Sequence, residues 1–152
     1  MPACVRRLER RWKVQTGRPY AGGTSSWAAP GTLPDGTPVV MKVAWPHREA
    51  RGEGIGLRLW GGHGAPILYA AEPRAYAVLM ERCVPGLPLS EAAPSPEDGL
   101  TAAAAVLRQL WVPPPDGHGL ERVDEVYAEW AVTVHERSAE HETARHTRLV
   151  VP

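Results

Sequence analysis

Cysteine is scarce in this 152-residue chain. Cys4 and Cys83 are too few and too far apart for a disulfide framework or a zinc site, and they fit a reduced compartment. An excess of charge of either sign is also missing. Seventeen Lys and Arg balance seventeen Asp and Glu, so the chain lacks the broad positive field that nucleic-acid binding needs. The one basic cluster, Arg6, Arg7, Arg10, Arg11 and Lys13, reads as a solvated helix face. No apolar run is long enough to span a bilayer, and Met1 to Lys13 carries charge where a secretory signal needs an apolar stretch. The expectation is a cytoplasmic protein with neither nucleic acid nor membrane as partner. His135, His141 and His146 do not share one helical face and have no cysteine support, which sets aside a metal module.

Sixteen prolines and fifteen glycines make the chain loop-rich, while six tryptophans and many Leu, Val and Ala argue against disorder. The length suits one domain, or one lobe of something larger. Cys4 to Arg11 reads as a short helix with Val5 and Leu8 inward, leading into a first strand in which Trp12 and Val14 alternate with Lys13 and Gln15. Ser26 to Leu33 forms a second strand, kinked or bulged at Pro30-Gly31. Pro34-Asp35-Gly36 closes a hairpin onto a third, Pro38 to Ala44. A helix is expected from Pro46 to about Trp60, weakened by Gly52, Gly54 and Gly56. Ile67 to Ala71 and Tyr76 to Arg82 complete a five-stranded antiparallel sheet, and Val84 to Pro88 is a stiff connector. Beyond it the pattern turns helical. Ser95 caps, Pro96 opens and Asp98 completes a capping box for a helix through Thr101 to Trp111. A proline loop, Pro113 to Gly117, precedes a last helix carrying Val123, Val126, Tyr127, Trp130 and Val134, wholly polar from Ser138 to Arg148.

The middle of the third strand holds the most informative residue. Lys42 sits between Val39-Val40-Met41 and Val43, and an ammonium beside a core needs an anion. Two acids on the following helix qualify, Glu53 as the favoured partner and Glu49, one turn earlier, as its substitute. Upstream, Gly22-Gly23-Thr24-Ser25-Ser26 offers backbone N–H groups and hydroxyls that can approach phosphates, although an ordinary hairpin turn has the same composition. Downstream, Met80, Glu81, Arg82 and Cys83 read as a hinge whose backbone meets an adenine edge, or as an edge strand and linker. Glycine turn, strand lysine and helix glutamate in that order make the front half of a kinase-type nucleotide site.

Gly22 to Ser26, Asp35-Gly36-Thr37-Pro38, Met41-Lys42-Val43-Ala44-Trp45-Pro46-His47, Gly56-Leu57-Arg58-Leu59-Trp60 and Met80-Glu81-Arg82-Cys83-Val84-Pro85-Gly86 together resemble the aminoglycoside/hydroxyurea antibiotic resistance kinases, which include streptomycin phosphotransferases. The resemblance continues through Leu107 to Trp111 and the triple proline. It implies a protein-kinase-like α+β fold and an ATP- and Mg²⁺-dependent phosphotransferase that acts on an alcohol group of a small antibiotic, in resistance or secondary metabolism. By this likeness Lys42 grips phosphates, Glu53 pairs with it, Gly22 to Ser26 cover the nucleotide, and Met80 to Cys83 form the adenine hinge. The family's His-Gly-Asp loop and later metal-binding aspartate have no match. After Cys83 the only aspartates are Asp98, Asp116 and Asp124, and His118-Gly119-Leu120-Glu121 is a poor substitute. The expectation is therefore an N-terminal lobe with its hinge at 1–86 and part of a helical second lobe at 87–152, truncated and inactive alone. The alternative is a non-catalytic nucleotide-binding or interaction fragment, completed by a separate chain that docks on the Val126, Tyr127, Trp130, Val134 stripe.

Overall fold

The computed structural model describes residues 1–148, with side chains to residue 139, so the terminal Leu149 to Pro152 and the side chains of His141 and His146 lie outside the described residues. The fold forms two compact units, 1–119 and 120 onward.

The first unit opens with helix α1, Pro2–Trp12, whose Val5 and Leu8 are buried while Arg6, Arg7, Arg10 and Arg11 face solvent. The first strand expected from Trp12 begins later. Lys13 adopts a left-handed conformation (φ 54°) and ends the helix, and its N–H returns to the Glu9 carbonyl. The helix thereby keeps Trp12, and β1 is reduced to Gln15–Thr16. Strands β2 (Ser26–Thr32) and β3 (Pro38–Ala44) pair antiparallel without a break, from Ser26 opposite Ala44 to Thr32 opposite Pro38.

The bulge expected at Pro30-Gly31 is absent because Pro30 turns its backbone toward β1 rather than β3. Its carbonyl accepts from Gly17 N–H there, so the missing N–H removes nothing from the β2–β3 ladder. Gly31 lets β1 cross closely, since a Cβ would lie 2.8 Å from Val14 Cγ2. The irregularity falls instead between Leu68 and Ala70 of β4 (Leu68–Glu72), which pairs with β5 (Ala77–Glu81). The sheet order is β1-β2-β3-β5-β4, and all neighbours are antiparallel.

β3 lies in the middle of this sheet and its two faces differ. Val39, Met41 and Val43 join Val5, Leu8, Val14, Ala77 and Leu79 in a core beneath α1. By the two-residue alternation of a strand, Val40 and Lys42 face the other way. Arg11 ties α1 to the sheet edge through Glu72, at 3.0 Å.

The segment after β3 also departs from expectation. Pro46 does not open the helix. A bend leads into a 3-10 turn at Glu49–Arg51, and α2 spans only Glu53–Trp60. Gly54 brings α2 close to the sheet, where a Cβ would meet Ala71 Cβ at 3.3 Å and Val78 Cγ1 at 3.5 Å. The glycine that lowers helix propensity thus permits the contact that holds the helix in place.

After β5, a short helix α3, Leu89–Ala92, was not signalled by the sequence pattern, and α4, Pro96–Leu110, starts where the capping box put it. Ser95 Oγ accepts from the Asp98 N–H at 3.1 Å. No residue of α4 is buried, and Leu100, Leu107 and Trp111 are exposed, Trp111 to 88%.

The second unit holds α5, Val123–Arg148, with Tyr127 and Trp130 in an edge-to-face contact of 5.8 Å between ring centroids. Val123, Tyr127, Trp130 and Val134 are exposed along it. Among the described residues no helix is long and apolar enough to cross a membrane.

Candidate functional site

The free face of the sheet is built by register. Lys42 lies opposite Ala28 of β2 and Val78 of β5, and Val40 lies opposite Pro30 and Met80. Residues paired across a ladder share a face, so Ala28, Val40 and Met80 form a partly exposed apolar floor beside the lysine. Val78 on the same face is buried, with Gly54 of α2 above it.

The first residue of α2 meets Lys42. Glu53 Oε1 lies 2.6 Å from Lys42 Nζ, with the two side chains 25% and 29% exposed. At this distance the contact is a charge-assisted hydrogen bond, and the remaining ammonium protons can still reach a second anion. Of the two acids the sequence offers, the chain uses Glu53. Glu49 is turned away and meets His47 Nδ1 at 2.9 Å. That hydrogen bond from His47 is the main reason the Glu49 carboxyl sits below the usual carboxylate range. The break in the helix at Gly52 separates the two acids: Glu49 belongs to the 3-10 turn and Glu53 to α2.

The glycine turn joins β1 to β2. Tyr20 N–H donates to the Ala28 carbonyl and Trp45 N–H to the Ser25 carbonyl, which fixes the turn at the Ala44 end of β3. Gly22, Gly23, Thr24 and Ser25 are exposed, and Ser26 enters β2 opposite Ala44. A side chain cannot stand at Gly23, because its Cβ would lie 2.9 Å from the Ser26 carbonyl oxygen. The turn therefore presents bare, exposed backbone at Gly22 and Gly23.

The segment expected to form a hinge, Met80 to Cys83, lies at the other end of β3. Met80 stands opposite Val40, Glu81 opposite Val39, and Arg82 N–H donates to the Pro38 carbonyl at 3.4 Å. Arg82 and Cys83 are exposed. Glu81 holds Ile67 at two points: its N–H donates to the Ile67 carbonyl at 2.8 Å and its carboxylate accepts from Ile67 N–H at 3.1 Å. Pro38 and Ala44 are six residues apart, so hinge and glycine turn stand about 20 Å apart at roughly 3.3 Å per residue. Lys42 lies between them, nearer the glycine turn.

The residues fit the two implied cofactors unequally. A lysine already paired with a carboxylate, an apolar floor and an exposed glycine turn suit a nucleotide. Mg²⁺ has no matching donor set: among the described residues no three His, Cys, Asp or Glu side chains converge. Asp98 takes a hydrogen bond from Ser95 Oγ at 2.7 Å, and Asp124 is held by Arg122 at 2.7 Å.

Sequence reasoning did not find the apolar floor, which depends on register, or a bond between Trp60 and Leu110, which lie 50 residues apart. No local signal announces either.

Residues 11–151 match the family model for aminoglycoside/hydroxyurea antibiotic resistance kinases. A hydroxyurea phosphotransferase of Kitasatospora aureofaciens is 30% identical over 90 residues, which cover 59% of this chain and 26% of that protein. The matched stretch thus spans about a quarter of the relative's length. Taken with the five-stranded sheet, the match over nearly all of its residues makes this chain a member of the aminoglycoside/hydroxyurea antibiotic resistance kinase family.

Proposed function

We propose that this chain is the nucleotide-binding portion of a cytoplasmic phosphotransferase that uses ATP to phosphorylate a hydroxyl of a small molecule, with aminoglycosides such as streptomycin and hydroxyurea as the candidate acceptors. The observation that carries this reading is the 2.6 Å pair between Lys42 and Glu53 on the sheet face turned away from the core. ATP supplies the phosphoryl group when bound. Lys42 would hold its α- and β-phosphates, with Glu53 keeping the ammonium aimed. The backbone of Gly22 to Ser26 would cover the phosphates, and the hinge backbone at Met80 to Cys83 would meet the adenine edge above Ala28, Val40 and Met80. The 20 Å or so between the two ends suits an elongated ligand with a flat apolar group at one end and anions at the other.

We further infer that 1–86 act as the nucleotide lobe and 87–152 as part of a helical second lobe. The sequence offers no aspartate in a His-Gly-Asp setting to take the acceptor's proton, so the chain alone binds nucleotide without appreciable turnover. A second reading, a non-catalytic fragment completed by another chain, is favoured by the exposure of Leu100, Leu107 and Trp111 on and after α4 and of Tyr127 and Trp130 on α5.

Titration of the purified chain with a fluorescent ATP analogue tests the proposal. Saturable binding, lost in Lys42→Ala and displaced by ATP, is expected; equal binding by wild type and Lys42→Ala would refute it. Transfer of labelled phosphate to streptomycin or hydroxyurea by the chain alone would overturn the claim that it lacks turnover.

A further inference from the structure

We propose that Trp60 is a positioning residue that latches α2 to the end of α4, so that the helix beyond the hinge governs how firmly Glu53 is presented to Lys42. The proposal rests on the nucleotide reading above for its functional consequence, but not for its geometry.

α2 is eight residues long, with Glu53 at its first position and Trp60 at its last. An isolated helix of two turns is unstable in water, so its orientation must come from contacts at its ends and along its buried face. The N-terminal end has the Lys42 pair. At the other end the indole of Trp60 folds back over Gly56, where a Cβ would lie 3.2 to 3.3 Å from Trp60 Cζ3 and Cη2. Seated there, the indole Nε1–H donates to the carbonyl of Leu110 at 3.0 Å. Indole nitrogen is a donor only, and Leu110 is the last residue of α4, where backbone carbonyls lack helical partners. The Leu110 carbonyl also accepts from Val112 N–H at 2.9 Å, so both of its lone pairs are used.

A second contact supports the first. Gly64, in the loop leaving α2, approaches α4 so closely that a Cβ would meet Gln109 Cβ at 3.1 Å and Leu110 Cδ2 and the Val106 carbonyl at 3.3 Å. Its φ of +73° independently disfavours a side chain. The end of α2 and the loop after it therefore grip the same turn of α4. A shift of that turn pulls directly on a helix too short to absorb it, and Glu53 is at its far end.

Two variants test the latch. Trp60→Phe keeps a ring over Gly56 and removes only the N–H donor. Gly64→Ala leaves Trp60 intact and pushes α4 away. Hydrogen–deuterium exchange of the full chain should show faster exchange of the α2 amides in both variants, with the core strand β3 unchanged. ATP-analogue affinity should fall roughly threefold to tenfold, the worth of one lost hydrogen bond, with little change in melting temperature for Trp60→Phe. In a Glu53→Ala background, Trp60→Phe should add almost no further loss, because the side chain it positions is already gone. Unchanged α2 exchange in both variants overturns the latch, whatever the nucleotide data. Full additivity of Trp60→Phe and Glu53→Ala overturns its action through Glu53. If the variants loosen α2 but the wild type binds no nucleotide, the latch stands and the nucleotide reading falls.

Discussion

At the scale of single residues, two carboxylates are assigned by what their neighbours donate. Glu53 serves Lys42, and the expected consequence is asymmetric. Lys42→Ala removes the cation and should abolish ATP-analogue binding. Glu53→Gln keeps the shape and a weaker hydrogen bond, and should reduce affinity by roughly a factor of ten, as expected when a charged hydrogen bond becomes a neutral one. Isothermal titration of the three proteins checks both. Asp35 has a different task. Its Oδ1 accepts from Thr37 N–H at 2.9 Å in the β2–β3 turn, and that bond is the first cause of a carboxyl held below its ordinary 3.8. Because the folded value is depressed, the carboxylate favours the fold above about pH 3.8 and its contribution disappears as pH falls through the lower, folded value. Asp35→Asn can still accept from Thr37 but cannot titrate, so its urea midpoint should vary less than that of wild type between neutral pH and about pH 3. Parallel pH dependence of the two would contradict this.

At the scale of elements, α1 and the sheet make one core, and α1 enters it through Val5 and Leu8. Leu8 is fully buried, and Leu8→Ala should destabilise the chain by about 2–5 kcal/mol through lost transfer energy and the cavity left behind. Chemical denaturation followed by tryptophan fluorescence measures it. The same substitution should leave the Lys42–Glu53 pair in place, because that pair is on the opposite face of β3. Much of this level was legible. The apolar run around Lys42 in Pro38 to Ala44 gave β3, though not its two faces, and the Ser95, Pro96, Asp98 signal gave the start of α4. Local pattern failed where a neighbour decided. Lys13 ended α1 in a left-handed turn that no residue preference announces, and Pro30 kept a regular ladder because its missing donor faces β1.

At the scale of the whole molecule, the described residues expose large side chains along both later helices. Leu100, Leu107 and Trp111 belong to the first unit, and Val123, Tyr127, Trp130 and Val134 to the second. An apolar surface of this extent should bind an environment-sensitive dye such as ANS, and Trp111→Ser should reduce that signal while the melting temperature stays within about 1 °C, since the ring is nearly all exposed. Strong dye binding undiminished in Trp111→Ser and in Leu107→Ser would place the sticky surface elsewhere. Membership of the kinase family covers residues 11–151, and the stretch matched in the relative is about a quarter of its length. If, as proposed, a second chain completes this one on its exposed helices, mixing it with a separately expressed helical lobe of a family member should give phosphoryl transfer that neither shows alone.

The sequence by itself determined the order of strands and helices, the identity of the strand lysine and its family, because alternation, capping and motif spacing are written along the chain. Which glutamate answers Lys42 was settled only by the tertiary structure, where Glu53 meets Lys42 and Glu49 meets His47. The apolar floor came from strand register, and the Trp60 bond to Leu110 from the approach of two helices 50 residues apart. These contacts depend on distance in space, and a linear pattern carries no term for that.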